Sequence, residues 1–278
     1  MTAQPARPTL AASAFRIFDL SLAQMLWSRR SVFLAVLVGG PVLLGVAIRV
    51  ASTFSAFGAL QINGARVGGA AIFGMMIWLL FIRFVVPVLG VFYGTALIAD
   101  EVDDKTITYL FTRPIPRPAV LVGKYLAYLA CTVLLVLPAV VVLFFLIVPL
   151  GGSIAGSFPS LVEDLGMLAA GLAAYGALFA LVGARLKRPL VTGLVFAFGW
   201  EPAVLLFPGY LKRLTIAYYL QALVPHAMPQ DSAVSVLMQV FREVPTVTVS
   251  LISLAAITVL ALWAAGRAVD GREYVLEQ

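Results

Sequence analysis

Residues 125–148 read YLAYLACTVLLVLPAVVVLFFLIV, and this stretch decides the fold because it contains no charged side chain. About 20 apolar residues, in a helix that rises ~1.5 Å per residue, are enough to cross the hydrocarbon core of a bilayer. A Pro-Leu-Gly-Gly sequence follows at 149–152 and is predicted to end the helix near Val148. We expect residues 151–160 to form a short loop on the outer side of the membrane.

Comparable apolar runs occur along the rest of the chain. Of its 278 residues, 62% are hydrophobic and only 12% are charged, and the mean hydropathy is +1.03. A soluble domain carries about 25% charged residues, so the excess apolar surface requires lipid as its solvent. We therefore predict an all-α polytopic membrane protein in which residues 31–278 form one six-span transmembrane domain. The six predicted spans cover about 31–50, 70–99, 120–148, 163–184, 189–207 and 245–266.

The distribution of Lys and Arg predicts how these spans are oriented. With both termini inside, five basic residues lie on the outer side: Arg49, Arg66, Lys212, Arg213 and Arg242. Arg83 lies within the second span, and the remaining 13 of the 19 basic residues lie on the inner side. Basic residues accumulate on the cytoplasmic side of membrane proteins, so we expect both termini in the cytoplasm. This topology accounts for the net charge of +6 without a nucleic-acid partner.

Two segments outside the six spans are also predicted to be helical. Residues 1–30 are predicted to form a tail and an amphipathic helix in the cytoplasmic interface, since large apolar side chains recur on one helical face. These side chains are Phe15, Phe18, Leu22, Met25 and Leu26. A plain cytosolic extension of the first span is the alternative. Between the fifth and sixth spans, residues 208–244 are predicted to form short helices at the outer leaflet, because tyrosines favour the headgroup level.

A charged insert separates the second and third spans. It begins with Asp-Glu-Val-Asp-Asp-Lys at 100–105 and ends with Arg-Pro-Ile-Pro-Arg at 113–117. Between these ends, Ile107, Leu110 and Phe111 have the i, i+3, i+4 spacing of an apolar helical patch. We predict a short cytoplasmic helix over about 101–117 whose apolar patch fits a groove on a partner protein. The alternative is a solvated turn whose charges only set the topology.

Residues 94–127, GTALIADEVDDKTITYLFTRPIPRPAVLVGKYLA, resemble the signature of the ABC type-2 exporter permease family. The matching positions are Asp100-Glu101, Thr106 with Leu110, Arg113-Pro114-Ile115 and Gly123-Lys124-Tyr125. A second stretch resembles the outer segment of one branch of the family through Trp200-Glu201, Pro208-Gly209 and Ile216-Ala217-Tyr218-Tyr219-Leu220. Lys105 departs from the pattern, because many members have Gly before the Thr.

The resemblance implies a permease subunit of an ATP-driven exporter in a bacterial or archaeal cell membrane. Two such permeases, identical or different, would form the pathway in the lipid, and two cytosolic ATPases would bind ATP and Mg²⁺ and drive transport. The chain itself would be neither an enzyme nor a cofactor carrier, and its only Gly-Lys pair, Gly123-Lys124, lacks the rest of a P-loop. The implied ATPase-coupling residues are Asp100, Glu101, Asp103, Asp104, Thr106, Ile107, Leu110, Phe111, Arg113, Pro114 and Arg117. A secondary transporter, or another polytopic membrane protein independent of ATP, is the alternative.

Two charged residues lie at membrane depth, and both are candidates for function. Arg83 in the second span and Glu201 in the fifth are predicted at similar heights, so we expect them to pair near the pathway or at the permease–permease contact. In the other reading, each side chain reaches the outer interface separately. Gly166, Ala170 and Ala174 recur every fourth residue in the fourth span and predict close helix packing. His226 is the single histidine, and without other ligands nearby it is not expected to form a metal site. We assign it no role.

Overall fold

The apolar runs form helices in the computed structural model, which describes residues 10–27, 29–54, 61–62, 65–66, 68–103, 117–206, 210–224 and 245–271. The helices with uninterrupted α-geometry are α1 (Leu10–Trp27), α2 (Arg29–Thr53), α4 (Arg117–Ile147), α5 (Ile154–Arg185), α7 (Ile216–Gln221) and α8 (Val247–Gly271). Helices α3 (69–103) and α6 (189–206) each combine α and π segments, and a 3₁₀ turn (Tyr210–Leu214) precedes α7.

The π segments place wider helical turns near both intramembrane charges. In α3, π geometry covers Ile77–Val85, which contains Arg83, and recurs over Gly90–Gly94. In α6, it covers Phe196–Trp200 and ends directly before Glu201. Because a π turn adds a residue to the helical repeat, it changes the direction of every later side chain, and such turns are frequent at functional sites.

Within the described residues, five helices are long and apolar enough to cross a membrane. They are Ser31–Thr53, Gly69–Asp100, Ala119–Ile147, Ile154–Arg185 and Val247–Val269. The predicted fifth span corresponds to α6, whose apolar part, Pro189–Val204, is shorter than the other five. The chain is therefore a mainly helical, multi-pass membrane protein. The predicted all-α character meets one small exception, a two-residue antiparallel pairing of β1 (Gln61–Ile62) with β2 (Ala65–Arg66).

Two predicted boundaries were wrong. The outer loop predicted at 151–160 is shorter, because α5 begins at Ile154, nine residues before the predicted start of the fourth span. The Ser153 hydroxyl accepts the Gly156 N–H at 3.3 Å and caps the helix, and Gly151 makes the preceding turn with φ of +87°. Residues 101–103, predicted to begin the cytoplasmic helix, instead continue α3.

Helix α5 is the centre of the bundle. It packs against α3, α4, α6, α7 and α8, and its middle carries fully buried residues such as Leu172, Tyr175 and Phe179. By contrast, α2 and α8 turn large apolar side chains outward, as Val36, Leu43 and Ile252 illustrate. An outward apolar surface of this kind is stable where lipid is the surrounding solvent.

Helix α1 packs through small side chains together with part of its predicted apolar face. Ser13, Ala14 and Ser21 are buried, and Leu22 and Met25 are half-buried against the core. Phe15 is 70% and Trp27 is 91% exposed, so α1 also carries large side chains that point away from the protein, as an interfacial helix requires. The location of α1 in the membrane interface stays a prediction.

Candidate functional site

The structure defines where the predicted coupling segment leaves and rejoins the bundle. Helix α3 carries Asp100, which is half-buried, and continues through Glu101 to Asp103. Helix α4 begins at Arg117, and thirteen residues separate it from Asp103 along the chain. The predicted contact residues between these ends lie outside the described residues: Asp104, Thr106, Ile107, Leu110, Phe111, Arg113 and Pro114.

The second candidate site is a buried polar cluster around Glu201. This residue begins the last α segment of α6, directly after the π turn, and its side chain is only 2% exposed. One carboxylate oxygen accepts the hydroxyl hydrogen bond of Tyr175, and the other accepts the backbone N–H of Ile216 at 3.0 Å. The backbone N–H of Ala217, the next residue of α7, also interacts favourably with this carboxylate. Glu201 therefore links three helices, α5, α6 and α7.

The contact with α7 has a simple electrostatic basis. The first N–H groups of a helix lack intrahelical partners, and they carry the positive end of the helix dipole. Thr215 occupies the cap position of α7 but makes no capping hydrogen bond with its side chain to the helix. The Glu201 carboxyl group supplies the missing acceptor from another helix, so α7 is held to the transmembrane bundle by a buried polar contact.

Tyr175 is fixed from two other sides. Its ring stacks on Phe179 at a centroid distance of 6.1 Å and an interplanar angle of 13°. Gly90, in the second π segment of α3, lies so close that an added Cβ would be 2.7 Å from the Cβ of Tyr175. A hydroxyl on a ring that is held this tightly is preorganised to donate to Glu201.

Arg83 lies close enough to this cluster to act on it electrostatically. Its guanidinium Cζ is 5.0 Å from the centroid of the Trp78 ring, in cation–π geometry. Its charge interacts with both Glu201 and Tyr175. Along α3, Arg83 precedes Gly90, the neighbour of Tyr175, by seven residues, or about two helical turns. The direct Arg83–Glu201 ion pair stays a prediction.

The Tyr175 and α7 partners of Glu201 were missed in the sequence analysis. A signal for them exists, since Tyr175 is a hydroxyl-bearing residue in a run without charges, and the family resemblance includes both the Trp-Glu pair and the Ile-Ala-Tyr-Tyr-Leu stretch. Asp164 was also missed, although its side chain is completely buried on α5. The search for charge-free runs placed it at the edge of the predicted span rather than within a helix.

The residues of α5 that were predicted to pack closely, Gly166, Ala170 and Ala174, differ in their surroundings. Ala174 is fully buried and Ala170 is half-buried, but an added Cβ at Gly166 would have no heavy atom within 4 Å. Tight positions on α5 are Gly176, where an added Cβ would collide with the ring of Tyr128, and Gly183, where it would collide with the backbone carbonyl of Thr95. Gly166 makes no close helix contact with the described part of the chain.

This difference predicts opposite outcomes for two chemically identical substitutions. Gly176→Ala is expected to destabilise the protein by about 1–3 kcal/mol, because the Tyr128 ring is fully buried and cannot retreat. Gly166→Ala should be neutral or stabilising by up to about 1 kcal/mol, since alanine has the higher helix propensity and meets no neighbour. Thermal unfolding in detergent measures both. Equal stability of the two variants would contradict the packing described here.

Comparison with known proteins gives one finding. The sequence model of the family described as ABC-2 family transporter protein matches residues 30–267, which is most of the chain. No curated protein matches the sequence.

Proposed function

Because the chain belongs to the ABC-2 transporter family, we propose that it is the permease subunit of an ATP-binding-cassette exporter. The observation that carries this proposal is the family match over residues 30–267, on a chain whose described part contains five helices long enough to cross a membrane. Members of this family are membrane components of transporters and are not themselves catalytic. In our proposal, two permease chains, identical or different, line the pathway, and two separate ATPases bind ATP and Mg²⁺.

The proposed topology has six spans and cytoplasmic termini in a bacterial or archaeal cell membrane. Helix α6 is the fifth crossing in chain order and brings the number of crossings to six. The clustering of Lys and Arg in the segments between spans that this topology places inside supports the orientation. In this arrangement, residues 1–30 form the tail and interfacial helix, and residues 31–278 form the permease domain. The 3₁₀ turn Tyr210–Leu214 and α7 lie at the outer side, where Glu201 holds them.

The proposed contact with the ATPase is the segment over about 101–117. Two observations support it. The helices at its ends, α3 and α4, both pack directly against the central helix α5, so a displacement of the segment is passed to the middle of the bundle. The segment also carries the apolar patch of Ile107, Leu110 and Phe111, which requires a covering partner in the cytoplasm.

Co-purification tests the proposed function. We expect the full-length tagged chain, extracted from its native membranes in detergent, to retain an ATPase that carries a GxxxxGK[ST] motif. Reconstitution of this complex into vesicles should give transport that depends on ATP hydrolysis. Gradient-driven transport by the purified chain alone, without any nucleotide hydrolase, would instead establish a secondary transporter and refute the proposal.

A further inference from the structure

Helix α1 lies along the first turns of α4 in an extensive contact. The face of α4 in this region carries Ala119, Gly123 and Ala127, which recur every fourth residue and therefore lie in one row. The two alanines are completely buried. The facing helix α1 buries Ser13, Ala14 and Ser21. Small residues on both helices allow their backbones to approach closely, as they do between transmembrane helices.

Gly123 is a point of close approach between α1 and α4. An added Cβ at this position would be 2.6 Å from the backbone carbonyl oxygen of Ala14 and 2.9 Å from the Cβ of Ile17. The first of these neighbours is helix backbone, which cannot move away without moving the whole helix. Any side chain at position 123 must therefore displace α1 from α4.

The position of Gly123 gives this contact a mechanical consequence. Helix α4 begins at Arg117, where the proposed coupling segment returns, and Gly123 follows six residues later, at about 9 Å along the helix. Immediately beyond Gly123, the Tyr125 hydroxyl donates to the Ala173 carbonyl at 2.9 Å, and the Tyr128 hydroxyl donates to the Leu172 carbonyl at 3.0 Å. The start of α4 is thus held by α1 through Gly123 and by α5 through two tyrosines.

We propose that Gly123 is a positioning residue for the ATPase contact. By seating α1 against α4, it sets the place and direction at which the coupling segment rejoins the bundle, so that α1 and the start of α4 move as one body. This inference rests on the proposed function, because it concerns the surface that the ATPase would bind. It assigns α1 a role beyond an anchor in the membrane interface.

The test compares Gly123→Ala with Gly166→Ala, which makes the same change at a position with open space. Each full-length variant is placed in lipid nanodiscs, and the ATPase that co-purifies with the wild-type chain is titrated onto the monodisperse fraction. Gly123→Ala should weaken the Kd for this ATPase at least tenfold and should increase hydrogen exchange over residues 13–21. Gly166→Ala should change neither quantity.

A second variant protects the test against misfolding of the first. Ile17→Ala removes atoms from the α1 side of the contact without inserting any, and it should weaken the Kd in the same direction by a smaller factor. A purely structural role of the contact would lower protein yield and thermal stability but leave the Kd of the folded fraction unchanged.

The outcomes separate this inference from the proposed function. If the wild-type chain binds the ATPase and Gly123→Ala binds it within twofold of the wild type, the positioning role is wrong and the permease function stands. The same conclusion follows if Gly123→Ala and Gly166→Ala weaken binding equally. If the wild-type chain retains no ATPase, the proposed function and this inference fail together.

Discussion

Replacing Leu110 and Phe111 together by aspartate should reduce ATP-dependent transport at least tenfold while leaving the bundle folded. Each of these side chains contributes about 1.5–3 kcal/mol when it is buried in a partner, and the substitutions would also place two charges in an apolar groove. The measurement is the rate of ATP hydrolysis and the rate of transport by the reconstituted complex, each compared with the wild type. We expect ATP hydrolysis to lose its dependence on the permease.

The matched control for this experiment retains the apolar character of the patch. The double variant Leu110→Met and Phe111→Leu should preserve at least half of the wild-type transport, because volume and polarity change little. Thermal unfolding of both double variants should match the wild type, since our proposal assigns these two side chains to the contact with the ATPase. Full transport by the aspartate variant would show that the ATPase binds elsewhere.

Glu201→Ala should be the most damaging single substitution within the membrane-spanning region. It leaves the Tyr175 hydroxyl and the N–H groups of Ile216 and Ala217 without their buried acceptor, at a cost of about 1–3 kcal/mol for each unsatisfied group. We expect lower thermal stability in detergent and faster amide exchange over residues 216–221, because α7 loses its attachment to the bundle. Transport should fall with the loss of the ordered outer segment.

Two conservative variants test whether this effect arises from the hydrogen bonds. Glu201→Gln keeps one acceptor oxygen and should be markedly less damaging than Glu201→Ala. Tyr175→Phe removes a single donor and leaves the backbone donors of α7 in place, so its cost should also be smaller. If Glu201→Ala is as stable as the wild type and residues 216–221 remain protected, the carboxylate does not hold α7 in the way that the structure indicates.

One of these two predictions depends on local sequence patterns and the other on tertiary contacts. The Leu110 and Phe111 experiment follows from spacing and family resemblance alone, and the structure adds only where α3 ends and α4 begins. The Glu201 experiment depends on contacts between helices that only the tertiary structure reveals. From the sequence, Glu201 was a charge in need of a partner, and Arg83 was the expected one. The structure places a tyrosine from α5 and the N-terminus of α7 directly on the carboxylate, and the pairing with Arg83 stays a prediction.

Some helix boundaries were likewise predictable from the sequence, and others were not. The end of α4 near Val148 was predictable, because a Pro-Leu-Gly-Gly sequence cannot continue a helix. The start of α5 at Ile154 was not, since Glu163 and Asp164 interrupt the apolar run on which the prediction depended. Asp164 is nevertheless buried, so the bundle accepts a polar residue at a position where composition alone predicted an interface.

The amino-acid sequence by itself determined that this chain crosses a membrane several times and carries the signature of an ABC-2 permease between its second and third spans. Both conclusions depend on residues that are adjacent along the chain, because lipid imposes a minimum length of apolar helix and the signature is a local motif. Only the tertiary structure decided which helices meet Glu201 and which glycines permit close contact. These features depend on how each helix is rotated about its axis and on how neighbouring helices cross. The π segments in α3 and α6 change that rotation, and the pattern of apolar residues does not reveal them.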